Sequence, residues 1–143
     1  MSSGVALPLQ PAAHWAARFI GHPWTPATDC WWLVREYFAQ RHGIAMPHVD
    51  VRACDNTEAL RHAVRASGWV PAQGEPREDD VVVMSSPFHR RHVGVMVRAD
   101  GRLGLLHNEG SDGARGPRGG VVFQTLADAT SDGYGNFSVW RRA

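Results

Sequence analysis

Apolar residues recur at helical spacing through the first half of the chain and cluster at alternate or consecutive positions through the second half. Across residues 12–20, Trp15, Ala16, Phe19 and Ile20 fall three to four apart with Gly21 at a stop position, which predicts a short first helix. His22-Pro23-Trp24-Thr25-Pro26 breaks it. Thr28 or Asp29 then supplies a cap for a second helix, on which Trp31, Val34, Tyr37 and Phe38 form an apolar stripe and Gly43 offers a left-handed exit. A loop containing Pro47 leads to Thr57, the expected cap of a third helix over 58–67 with Leu60, Val64 and Ser67 on one face and Gly68 at its end. Beyond Gly68 the period changes. Segments 80–84, 92–98, 103–108, 121–124 and 137–141 are short and rich in branched or aromatic residues, and turn signals such as Asp100-Gly101 separate them. Helices first and strands afterwards predict an α+β fold, with N-terminal helices packed on an antiparallel sheet of five or six strands. The glycine-rich stretch from Gly110 to Gly120 suits a mobile loop between two strands.

Length sets the scale of this fold. At 143 residues the chain suits one domain, 1–143, and a chain of this size typically buries about two-thirds of its extended surface, enough to dispense with a metal or a disulfide as a staple. The 15 basic residues are all arginine and face 14 acidic ones, leaving a formal charge of +1, far from the basic balance of a dedicated nucleic-acid binder. No apolar run approaches 18 residues, so no membrane span is expected. The opening MSSGVALPLQPAAHW lacks a basic leader and is broken by Pro8 and Pro11, so the expectation is synthesis in a cytosol without a signal peptide. Two cysteines, Cys30 and Cys54, are too few for a disulfide framework, and both are expected as free thiols.

Cys30 follows Asp29 in the first turn of the strongest predicted helix, where unpaired N–H groups and the positive end of the dipole favour a thiolate. A small buried hydrophobe is the competing role for any cysteine there. His92 opens a strand on which His92, Gly94 and Met96 share one face, and a base at that position would take the thiol proton. Taken alone, it equally suits a satisfied histidine at a strand end. Counting by twos puts Leu103, Leu105 and His107 on a common face of the next strand, where His107 could orient His92; Asn108 would replace it if the strand carried a bulge. A zinc site of His89, His92, His107 and Cys30 is the competing reading, but residues three apart point to opposite faces of a strand, which disfavours it. Thiol chemistry with a histidine base requires neither a metal nor an organic cofactor, and none is expected. Trp24, Asp29 and Trp31 lie beside the thiol in sequence and are the candidate substrate contacts, and Arg90-Arg91 suits either an anionic substrate group or a solvated surface pair.

The order of these residues resembles the NlpC-type cell-wall peptidases, a papain-like cysteine hydrolase family. The matching pieces are Ile20-Gly21-His22-Pro23-Trp24, DCWWLVREYF at 29–38, GIAMP at 43–47, DDVVVM at 79–84, HVGVMV at 92–97 and LLHNEG at 105–110. Carried over residue by residue, the resemblance implies Cys30 as nucleophile, His92 as general base and His107 as the third polar residue. The DCWWLVREYF block, GIAMP and the ending Trp140-Arg141 look most like the tail-tip assembly K-type branch of tailed phages and prophages.

That resemblance implies hydrolysis of the bond between D-glutamate and the diamino acid of peptidoglycan stem peptides, by a protein carried in a phage tail and acting in the periplasm or cell wall. Its partners would be the stem peptide and other tail-tip proteins. Three positions depart from the pattern: Trp24 replaces a frequent tyrosine, Trp31-Trp32 a small Ser-Gly pair, and Asp79 a strand-opening glycine, the last read as inert edge chemistry. The bulk of Trp31 and Trp32 also admits a catalytically weak assembly subunit, and the same dyad would serve an exported amidase toxin.

Overall fold

The computed structural model describes residues 15–110 and 120–143. Its α+β architecture places three helices around a six-stranded sheet whose paired neighbours all run antiparallel. The helices are α1 (Cys30–His42), α2 (Thr57–Ala66) and α3 (Leu126–Ser131). The strands are β1 (Trp69–Pro71), β2 (Val81–Ser85), β3 (His92–Ala99), β4 (Arg102–Glu109), β5 (Gly120–Gln124) and β6 (Gly135–Arg142), ordered β1-β6-β2-β3-β4-β5.

α1 forms where the pattern predicts it. Asp29 accepts the Trp32 N–H at 2.9 Å and caps the first turn, and Gly43 ends the helix at φ 66°. Its buried residues Trp31, Leu33, Val34, Tyr37 and Phe38 pack with Leu60 and Val64 of α2 on one face of the sheet, against Val81, Val83, Val93, Val95, Val97, Leu106 and Phe123. The predicted first helix is instead a 3-10 turn at Trp15–Arg18, with residues 12–14 outside the described part. α2 is capped one residue earlier than expected, by Asn56, whose side chain accepts from Ala59 N–H.

The sequence pattern did not predict β1 or α3. α3 matters because it closes the second face of the sheet: Val82, Met84, Met96 and Leu105 pack there with Ala129 and Tyr134. A sheet covered on both faces explains why Val81-Val82-Val83-Met84 is a continuous apolar run with all four residues buried. Residues 111–119 of the glycine-rich loop lie outside the described residues.

Two local features set the geometry that follows. Gly94 pairs with His107 across β3 and β4, and a Cβ there would stand 2.9 Å from both the Leu106 carbonyl oxygen and His107 Cβ. Only glycine lets the two strands approach this closely. At β5, Gly21 N–H bonds the Val121 carbonyl and Val121 N–H bonds the His22 carbonyl, both at 2.9 Å, so the segment entering α1 lies along the sheet edge. Asp79 is not the inert departure expected of it. It holds φ 75° while accepting the Tyr37 hydroxyl at 2.7 Å and pairing with His42 at 3.1 Å, contacts that offset about 1 kcal/mol of left-handed strain.

Candidate active site

A cavity of about 290 Å³ opens where α1 and β3 begin, and Cys30 and His92 both line it. Trp24, Asp29, His89 and Gly110 line the same cavity, and the more exposed Phe88, Arg52, Arg90 and Arg91 form its rim. Asn108 helps to hold the helix start in place: its Nδ2 donates to the Thr28 carbonyl at 2.7 Å, tying β4 to the residues just before Cys30. It is not the substitute for His107 that a bulged strand would have made it, because the β3–β4 register runs without a bulge through Gly94 and His107.

Cys30 is the first residue of α1, and the backbone N–H groups of Val93, Trp31 and Cys30 itself favour its anionic form. They do not prevail. Burial, reinforced by the negative charge of Asp29, pushes the thiol up from 9.0 to about 12. The expectation of a resting thiolate at the helix start is therefore corrected: desolvation outweighs the helix terminus. Burial also raises the Asp29 carboxyl against the opposing Trp32 N–H.

His92 is 2% exposed, and its Nε2 lies 2.9 Å from His107 Nδ1. Burial, with His107 and His89 alongside, holds its imidazole well below the ordinary 6.5. The resting pair is thus a neutral thiol and a neutral imidazole. His107, fully buried, continues through its Nε2 to Gln124 Oε1 at 2.8 Å, and Gln124 Nε2 donates to Asp132 Oδ2 at 2.9 Å.

Spacing alone separated His89 from this cluster, on the premise that it sat on the strand. It lies in the turn before β3, and its ring centroid is 4.9 Å from that of His92. Gly110 N–H donates to His89 Nε2 at 3.0 Å, and His89 Nδ1 lies 3.3 Å from the Tyr134 hydroxyl, which donates to Glu109 Oε1 at 3.4 Å. Tyr134 stacks on His92 at 5.4 Å and meets His107 edge-on at 5.3 Å. Among the described residues no set of three or more His, Cys, Asp or Glu side chains is placed to hold a metal ion, and no helix is long and apolar enough to cross a membrane.

Trp24 and Asp29 take their expected places at the cavity, but Trp31 does not. It is fully buried in the core with its indole N–H on the Pro47 carbonyl at 2.9 Å, so it packs the helix and does not contact the groove. Trp32 is half-buried, with its ring 4.6 Å from that of His22. Sequence reasoning missed Gln124, Asp132 and Tyr134, and it considered His89 and Glu109 only to set them aside. Gln124 carried a signal, as the one polar side chain ending an otherwise apolar strand. Tyr134 carried none, because it sits in a loop whose folding back over the sheet depends on α3. Compared with known proteins, the chain matches no family model, no curated protein and no solved structure.

Proposed function

We propose that this protein is a cysteine peptidase of the papain-like NlpC type, hydrolysing an amide bond of peptidoglycan stem peptides. One observation carries the reading: a cysteine at the first position of the helix packed on the sheet lines the same cavity as a buried imidazole, which is itself hydrogen-bonded to a second imidazole. The motif order from Ile20 to Gly110 and the α+β arrangement lend it further support.

In this mechanism His92 accepts the Cys30 thiol proton as the sulfur attacks the amide carbonyl. A thiol raised to about 12 gains its nucleophile only when the proton leaves in that step, and a neutral imidazole is available to receive it. The backbone N–H of Cys30 at the helix start helps to hold the oxyanion, a contribution on the order of 3 kcal/mol for one well-aimed donor. Collapse of the tetrahedral intermediate breaks the C–N bond, and the amine leaves with the proton from His92. Water, deprotonated by His92, then hydrolyses the thioester and regenerates the thiol.

The bond between D-glutamate and the diamino acid is the proposed substrate, and a phage or prophage tail the proposed carrier. The arginines at the rim suit a substrate bearing carboxylates. Digestion of purified peptidoglycan followed by mass spectrometry of the muropeptides tests this. Fragments with a new amine on the diamino acid are expected, and stem peptides left intact would overturn the proposal.

A further inference from the structure

We infer that Gln124 and Asp132 are positioning residues that decide which ring nitrogen of His92 is free to take a proton, a role that rests on the hydrolase reading above. The argument needs only donors and acceptors. Gln124 ends β5 and Asp132 caps the C-terminus of α3. A carboxylate offers acceptors only, so the Gln124 amide must turn its NH₂ toward Asp132, as the 2.9 Å contact has it, and its carbonyl oxygen the other way. That oxygen lies 2.8 Å from His107 Nε2. An amide oxygen cannot donate, so the proton of His107 sits on Nε2. Glu109 Oε1, 3.9 Å from the same nitrogen, favours it there too.

An imidazole with its single proton on Nε2 has a bare Nδ1, and His107 Nδ1 is the atom 2.9 Å from His92 Nε2. His92 must therefore donate from Nε2, which leaves the lone pair on its Nδ1, the nitrogen that His107 does not engage, in a residue that lines the same cavity as Cys30. Reversing the Gln124 amide reverses every bond along the line. Its NH₂ would donate to His107 Nε2, His107 would donate from Nδ1, and His92 would carry its proton on Nδ1. A base whose available nitrogen is already protonated cannot accept the thiol proton. The side chain at the end of β5 and the carboxylate at the end of α3 thus hold a general base in its working tautomer from two imidazoles away.

Long-range proton–nitrogen NMR of the ¹⁵N-labelled full chain reads the tautomers directly and needs no substitution. Both His92 and His107 are expected with protonated Nε2 and bare Nδ1; His92 protonated on Nδ1 would overturn the inference. Gln124→Met removes the acceptor. In that variant the His107 tautomers should interconvert and kcat on stem peptide should fall roughly ten- to a hundred-fold with KM unchanged. A Gln124→Met protein with unaltered tautomers and kcat would overturn the relay. The working tautomers in a protein that cleaves no stem peptide would leave the relay standing and remove the hydrolase, whereas cleavage by a protein with the opposite tautomers would do the reverse.

Discussion

At the scale of single residues, burial sets the chemistry of the site. With Asp29 and Tyr134 facing it, Cys30 is a thiol raised to about 12, so its thiolate fraction grows tenfold per pH unit through the mildly alkaline range. Alkylation of Cys30 by iodoacetamide, followed by peptide mass spectrometry to separate it from Cys54, should keep rising from pH 8 to pH 11. A plateau near neutrality would mean a resting thiolate–imidazolium pair and contradict this account. His92, faced by His89, His107 and Tyr134, has its imidazole lowered, so it stays neutral and available as a base on the acid side of 6.5. The acid limb of kcat/KM should lie below 6.5 accordingly. Cys30, His92 and His107 were legible in the sequence because capping, strand parity and residue type each point to them. Their protonation was not, because it depends on how much chain closes over them.

Among the elements, α1 and the β3–β4 pair position the site, and each has a residue that tests it. Asp29 both caps α1 and opposes thiolate formation. Asp29→Asn keeps an accepting side-chain oxygen and removes the charge, so stability should hold to within about 1 kcal/mol, the value of a cap, while Cys30 alkylation accelerates. A loss of stability comparable to Asp29→Ala would show that charge, not capping, is what the helix needs. Gly94→Ala would drive a methyl into the Leu106 carbonyl and His107 Cβ. Urea denaturation should register about 1–3 kcal/mol of lost stability, with activity falling alongside as His107 is displaced. α1, α2 and five strands were legible because their periods are strong and their ends carry caps or turns. α3 was not singled out, although Thr125 accepts from Asp128 N–H as a capping pair would, because six residues are too few to establish a helical period. β1 escaped for a related reason: three residues, two of them exposed, form a strand only because β6 is there to pair with them.

Over the whole molecule, the same burial links folding to pH. His92 and His89 have lowered imidazoles, so below about 6.5 the unfolded chain takes up protons that the folded one refuses, and stability falls as the solution is acidified. Asp29 partly opposes this, because its raised carboxyl takes up its proton first in the folded state. Cys30 acts at the other end: between 9.0 and about 12 the unfolded chain ionises its thiol while the folded chain does not, costing up to about 4 kcal/mol as pH rises through that window. The urea midpoint should therefore be flat from about pH 6.5 to 9 and decline on both sides. A sheet covered on both faces is the common cause, since α1 packs on one side and α3 with Tyr134 on the other, and Tyr134 also lies against the His92 and His107 rings. The pattern of helices followed by strands revealed the fold class, but not that a late short helix would seal the second face.

Release of stem-peptide fragments from purified peptidoglycan by the wild-type protein and by a folded Cys30→Ala variant, compared by mass spectrometry at equal concentration, tests the central claim most directly. Fragments from the wild type and none from the variant are the predicted result. Equal release by the two proteins would contradict it.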